Sequence, residues 1–301
     1  SEVVYHSIRE DLEAQGAVFV DELDSVPAGS KVIFSAHGVA PTVFEQADHL
    51  ELITVDATCP LVTKVHVEAK QFAAKGYTIL LIGHAEHVEV VGVVGEAPDQ
   101  TIVVATPEEA GVVEVPDPSR IVVLTQTTLS MDEADRVMRV LRERFPSLET
   151  PRKEDICYAT TNRQMAVKSL QARVDLWLVI GDPQSSNSNR LRELGGQDGK
   201  PAHLILDADQ IDPKWLDGVR AIGVTSGAST PETSVQRVVA RLRELGAESV
   251  EEVDGVIEDV EFFLDRIPET AQKLLFSATT NEKVKELAFE YLNKPEYISA
   301  T

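Results

Sequence analysis

Short apolar runs alternate with longer amphipathic stretches along most of this chain, and that alternation narrows the possible folds more than any other feature. The runs are residues 31–35, 77–82, 120–124, 176–180, 203–206 and 221–224. They are apolar at successive positions, not at alternate ones. A strand needs that pattern when both faces of its sheet are covered, as in parallel sheets. Helices are predicted between them, at 65–74, 131–145, 162–172, 189–194 and 234–245. Strands and helices alternating at this spacing imply βαβ units and an α/β fold.

Composition limits what such a fold can do. At 301 residues the chain has room for two or three modest domains. Its 50 acidic side chains outnumber 28 basic ones, a formal charge of −22. That excess argues against nucleic acid or an anionic membrane as partners, since both call for Lys/Arg-rich surfaces. It leaves room for a small anionic substrate in a local pocket. No run approaches the roughly 18 apolar residues of a membrane span. Residues 1–10 are polar and mixed in charge, unlike a signal peptide. Two cysteines are too few for a secreted disulfide scaffold. A cytoplasmic protein with thiols that are free or serve as ligands is expected.

The ends of the runs carry the chemistry. Ser35-Ala-His-Gly38, Gly83-His-Ala-Glu-His87, Thr125-Gln-Thr-Thr-Leu-Ser130, Gly181-Asp-Pro-Gln-Ser-Ser-Asn-Ser-Asn189 and Thr225-Ser-Gly-Ala-Ser229 are rich in hydroxyls, amides and imidazoles. Open α/β sheets bind ligands at the carboxyl ends of their strands, against helix N-termini. One shared polar pocket is therefore expected. These loops hold no Lys or Arg before Arg190. Neutral donors and helix N-termini can still hold a phosphate or diphosphate. Taken singly, Ser130 and Ser188 also read as plain helix N-caps. No Walker loop and no Gly-x-Gly-x-x-Gly follows a strand, which argues against ATPases and nicotinamide enzymes. His84-x-x-His87-x-Glu89 has the residue types of a metal site, but no further ligand stands close in sequence. A pocket histidine and an acid/base carboxylate are the preferred roles.

Cys59 lies in Val55-Asp-Ala-Thr-Cys-Pro-Leu-Val-Thr-Lys64, and Cys157 in Lys153-Glu-Asp-Ile-Cys-Tyr-Ala-Thr-Thr-Asn-Arg163. Each precedes a predicted helix, where a thiolate is stabilised. Equivalent positions in successive α/β units suggest a repeated module whose thiolates converge on one centre. Such thiolates favour an iron–sulfur cluster. A cluster usually takes three or four ligands, and the sequence offers two.

Six segments then carry a resemblance: Phe34-Ser-Ala-His-Gly-Val39, Asp56-Ala-Thr-Cys-Pro-Leu-Val-Thr-Lys-Val-His66, Thr125–Ser130, Asp155-Ile-Cys-Tyr-Ala-Thr-Thr-Asn-Arg163, Ser185-Ser-Asn-Ser-Asn-Arg190 and Thr225–Ser229. In this order they resemble the 4-hydroxy-3-methylbut-2-enyl diphosphate reductases, which perform the last step of the non-mevalonate isoprenoid pathway. The resemblance extends from about residue 12 to about residue 263. It implies three α/β units in a trefoil around a central cavity holding a [4Fe-4S] cluster. Cys59 and Cys157 match two cluster ligands. His37, His87, Thr127, Ser185, Ser186, Asn187 and Ser229 match substrate-binding positions, and Glu89 matches the proton donor. The implied reaction is a two-electron reductive dehydroxylation of an allylic diphosphate to isopentenyl and dimethylallyl diphosphate. The implied electron source is an external donor such as flavodoxin or ferredoxin.

The sequence also departs from that pattern. The family's opening Gly-Phe-Cys segment, with its first cluster cysteine, has no match, so the first unit is expected to be N-terminally truncated, with apolar surface and a bare strand edge. His6 is a weak, register-shifted counterpart of a family histidine, and Val91 and Val93 replace polar residues near Glu89. The expected organisation is a first unit at 1–59, a second at 60–156, a third at 157–246 and a tail at 247–301. Within that tail, Ser277-Ala-Thr279 and its flanks resemble a DEAD-box helicase segment. With no phosphate-binding loop there is no ATP site, and Asp132-Glu-Ala-Asp135 reads as an acidic first helical turn capped by Ser130. The alternative to an enzyme is a non-catalytic isoprenoid-diphosphate-binding remnant that lacks an intact cluster.

Overall fold

The computed structural model describes Arg9, residues 12–151 and residues 155–253. His6 and the helicase-like tail segment lie outside the described residues. The chain divides into two compact units, one of them Phe19–Thr161 and the other containing the residues from Asn162 onward.

The first unit opens with β1 (Lys31–Phe34), α1 (Pro41–His49) and β2 (Ile53–Asp56). These two strands pair in parallel as a small sheet. Ile33 and Ile53 on it are 64% and 55% exposed. Next come α2 (Pro60–Ala74), β3 (Thr78–Ile82), α3 (Val88–Glu96), β4 (Thr101–Val104), α4 (Pro107–Val112), β5 (Ile121–Thr125) and α5 (Met131–Arg144). The second sheet has the order β4-β3-β5, all parallel. Every residue of β3 is buried, as successive apolar positions require. Leu80, Ile82, Ile121 and Val123 pack with Val137 and Leu141 of α5. Ile79, Leu81, Val122 and Leu124 point the other way, onto Val65 and Ala69 of α2 and Val90 and Val93 of α3. Each such aliphatic contributes about 1.5–3 kcal/mol by leaving water.

The second unit holds most of α6 (Tyr158–Leu170), then β6 (Leu176–Ile180), α7 (Ser186–Gly195), β7 (Ala202–Ile205), β8 (Ile222–Ser226) and α8 (Glu232–Glu244). Its sheet order is β7-β6-β8, again all parallel. Leu176, Leu178 and Ile180 face Val238 and Leu242 of α8. Trp177 and Val179 face Leu191 and Leu194 of α7. The Trp177 ring lies over its register partner Gly223, where a Cβ would stand 2.5 Å from ring carbons.

All six apolar runs form strands, and three parallel sheets with flanking helices make an α/β fold. Two strands and three helices escape sequence patterning. Most of β2 is exposed, so it lacks a continuous apolar run. The Val- and Gly-rich stretch 88–96 has strand-like composition, yet its placement over β3 makes it helix α3; packing overrides propensity there. Helices α2 and α6 begin earlier than predicted, at Pro60 and Tyr158, directly after the two cysteines. Pro at a first helical position gives up no needed N–H.

Candidate active site

In the first unit, the loops after β1, β2, β3 and β5 supply the reactive groups. Cys59 is the N-cap of α2; its N–H donates to the Ala36 carbonyl at 2.9 Å, and its own carbonyl accepts from the Thr63 N–H at 2.9 Å. Cys157 immediately precedes α6. Its N–H donates to the Thr127 carbonyl at 2.8 Å, and its carbonyl accepts from the Thr161 N–H at 2.9 Å. Both thiols thus stand at helix starts. Burial nevertheless pushes the Cys59 thiol up, and negative charge on Cys157 and Glu89 adds to the shift. The Leu61 and Val62 N–H groups pull the other way but lose to desolvation. This corrects the expectation of a stabilised thiolate at this helix start.

Glu89 is 1% exposed, in the first turn of α3. Its Oε1 accepts from the Thr127 N–H at 2.6 Å, and its Oε2 accepts from the Thr127 hydroxyl at 2.9 Å. Burial pushes its carboxyl from 4.5 up to about 7, with Asp155 adding repulsion and the two Thr127 bonds opposing. A carboxyl so tuned can donate a proton near neutral pH. The Thr127 loop is held by Gln126, whose Oε1 accepts from the His84 N–H at 3.1 Å and whose Nε2 donates to Thr128 Oγ1 at 2.8 Å.

His87 is the N-cap of α3, its Nδ1 accepting from the Glu89 N–H at 3.2 Å. The His37 ring meets it edge-on, centroids 5.7 Å apart. Burial, helped by His87, lowers His37 to about 4, and burial also lowers His87. Both rings are therefore neutral near pH 7. His37 Nδ1 is buried without a hydrogen-bond partner among the described residues. Gly38 beside it has φ +73°, and a Cβ there would stand 2.9 Å from His66 Nε2, so the loop after β1 can approach α2 only as glycine. His84, His87 and Glu89 do not converge as metal ligands: His84 Nε2 lies 3.5 Å from Glu133, while His87 and Glu89 face the cap and Thr127.

In the second unit, Ser185, not Ser188, caps α7. Its Oγ accepts from the Ser188 N–H at 3.3 Å and from the Ser188 hydroxyl at 3.1 Å. Ser188 is a first-turn residue whose Oγ takes the space that a Cβ would need on Gly181 after β6 or Gly227 after β8. Ser186 and Asn187 occupy the same first turn, and exposed Ser229 follows β8, the neighbour of β6. Asn187 is 5% exposed, yet its Oδ1 and Nδ2 have no hydrogen-bond partner among the described residues. A buried amide left unpaired costs about 1–3 kcal/mol. Ser130 takes the N-cap position of α5 without a side-chain cap bond, and Asp132 and Glu133 supply the acidic first turn.

Sequence reasoning missed Gln126, Lys64 and Asp155. Lys64 Nζ lies 2.5 Å from Asp155 Oδ1 across 91 residues. Both residues stand inside segments singled out for their cysteines, but no local spacing signals their pairing.

The LytB protein family model matches residues 3–243. The 4-hydroxy-3-methylbut-2-enyl diphosphate reductase of Acidothermus cellulolyticus is 56% identical over 265 residues, covering 88% of this chain and 77% of the relative. The enzyme of the same name from Ralstonia nicotianae is 48% identical over 266 residues, 88% of this chain and 82% of the relative. Among solved structures, the E-1-hydroxy-2-methyl-but-2-enyl-4-diphosphate reductase of Plasmodium falciparum superposes with a TM-score of 0.83 at 38% identity, over 86% of this chain and 82% of that one.

Proposed function

Because this chain belongs to the LytB protein family, we propose that it reductively dehydroxylates (E)-4-hydroxy-3-methylbut-2-enyl diphosphate to isopentenyl and dimethylallyl diphosphate. The observation that supports this most is the buried Glu89 carboxyl, held on both oxygens by Thr127, whose carbonyl in turn accepts from the Cys157 N–H.

The donor set fits an iron–sulfur cluster as far as it goes. Cys59 and Cys157 are soft donors, both partly buried, and charge on Cys157 adds to the upward shift of Cys59. A buried thiol with a raised pKa ionises once a cation is bound beside it. Cys59 and Cys157 would hold two corners of the cluster, and no third cysteine is present in the sequence. Among the described residues, no group of three or more His, Cys, Asp or Glu side chains is arranged to hold a metal ion. When bound, a [4Fe-4S] cluster supplies one-electron chemistry and a soft Lewis acid.

The overall change consumes two electrons and two protons. One proton leaves with the hydroxyl as water, and the other ends on carbon. Glu89, protonated up to about pH 7, is the group that supplies a proton to the departing hydroxyl. Thr127 fixes the orientation of that carboxyl from both oxygens. Neutral His37 and His87 offer ring nitrogens to the substrate without adding a buried cation. The first turn of α7 holds the diphosphate: Ser185, Ser186 and Asn187 supply neutral donors where the helix N-terminus favours negative charge, with Ser229 on the adjoining loop. Electrons come from an external donor such as flavodoxin or ferredoxin. No helix among the described residues is long and apolar enough to cross a membrane. The cytoplasm is the proposed compartment, since free thiols serving a reduced cluster call for reducing surroundings.

Anaerobic reconstitution with iron and sulfide tests the proposal. A brown protein that reduces the substrate with dithionite and viologen supports it. A colourless protein that still binds isoprenoid diphosphates overturns the catalytic reading in favour of a binding remnant.

A further inference from the structure

Lys64 sits on the second turn of α2, five residues beyond Cys59. Asp155 sits two residues before Cys157, and its side chain is 2% exposed. Asp155 has both oxygens engaged. Oδ1 meets Lys64 Nζ at 2.5 Å, and Oδ2 accepts from the Thr125 N–H at 3.1 Å. Thr125 ends β5 and leads into Thr127, whose carbonyl accepts from the Cys157 N–H and whose hydroxyl and N–H hold Glu89. One carboxylate thus joins the helix that begins at Cys59, the segment that presents Cys157 and the loop that grips Glu89. Lys64 Nζ also lies 3.2 Å from Glu68 Oε2, one turn further along α2, which steers the ammonium from the helix side.

We infer that Lys64 is a positioning residue for the thiol pair: through Asp155 it sets the separation of Cys59 and Cys157. This rests on the reading of those cysteines as cluster ligands. The physical reason is geometric. Each thiol begins a different helix, and nothing in the local sequence fixes the distance between two helix starts. Cys157 is held to the loop after β5 by its own N–H; Val65 and Ala69 pack α2 onto β5, and the Lys64–Asp155 pair adds the polar tie from α2 to the segment that presents Cys157. A largely buried, hydrogen-bonded ion pair is a directional strut that apolar packing does not replace. The other end of α2 carries a second pair, Lys70 with Glu96 at 2.9 Å, whose lysine is 67% exposed. That pair ties α2 to α3 far from the thiols and serves as the control.

The thiol separation can be read without iron. Phenylarsine oxide bridges two thiols with loss of water, and its affinity depends on both sulfurs reaching one arsenic. The chain has two cysteines, so the readout is unambiguous. On the full, reduced, cluster-free chain, Lys64→Met should weaken arsenical binding by about tenfold or more, since bidentate capture fails when geometry separates the two sites. Iodoacetamide should still label each thiol singly. Lys70→Met should stay within about twofold of the parent, as expected of an exposed pair, and Lys64→Arg should restore most of the affinity. Should Lys64→Met not fold, Asp155→Asn, which keeps an acceptor for Thr125 but removes the charge facing Lys64, carries the same expectation. Parent-like arsenical affinity in Lys64→Met, or an equal loss in Lys70→Met, overturns the strut. Thiols that bind the arsenical normally but never take up iron overturn the ligand reading instead.

Discussion

Thr127 holds both oxygens of Glu89, its N–H donating to Oε1 at 2.6 Å and its hydroxyl to Oε2 at 2.9 Å. The two bonds come from one residue, so the carboxyl plane is fixed to the loop after β5 and cannot rotate without breaking both. The same loop accepts the Cys157 N–H. Glu89 and Cys157 therefore share a mount, and small shifts of that loop move them together.

Replacing Glu89 by Gln keeps the side-chain shape and removes the titrating proton. Turnover should fall by about 10²–10⁴-fold, while the absorption spectrum of the reconstituted cluster stays unchanged. Equal turnover would remove Glu89 from proton transfer.

Activity that needs protonated Glu89 should decline as pH rises through about 7. The sign for stability is the same. The folded value lies above the ordinary 4.5, so the folded state keeps this proton longer than the unfolded chain. Its contribution is full below about 4.5 and is lost as pH rises through about 7. Denaturant midpoints measured across this window should fall more steeply in the parent than in Glu89→Gln. The Thr127 bonds pull the carboxyl down, so Thr127→Val should move the alkaline limb of the rate profile upward by about one pH unit, the worth of one hydrogen bond to a charged group.

Asn187 predicts a separation of stability from binding. Ser186→Ala combined with Asn187→Ala should raise KM for the diphosphate substrate by about tenfold, in line with losing hydrogen bonds to a charged group. The melting temperature should hold or rise, because the buried amide has no partner within the described protein. Cluster content should not change. An unchanged KM would count against α7 as the diphosphate seat.

Gly223 is a packing glycine. In Gly223→Ala the new methyl would meet the Trp177 ring at 2.5 Å, and Trp177 is 1% exposed with its Nε1 donating to Gln171 at 2.9 Å. The ring has nowhere to retreat, so thermal unfolding should show a loss of about 1–3 kcal/mol.

The sequence alone determined where the six apolar strands run, that they lie parallel, and that hydroxyl, amide and imidazole groups cluster at their carboxyl ends, although the first strand is less covered than its apolar run suggests. These are local properties: an unbroken apolar run or a Pro after a cysteine carries its structural meaning within a few residues, because backbone geometry has a short period. It also supplied the motifs that place the chain in its family. Tertiary structure alone decided that Glu89 is pushed up to about 7, that Cys59 resists ionisation despite its helix start, and that Lys64 reaches Asp155. It likewise turned the Val-rich stretch 88–96 into a helix and left the Asn187 amide without a partner among the described residues. Each of these depends on which distant segments exclude water from a group or bring charge beside it, and desolvation and Coulomb energy are set by distance in space, not along the chain.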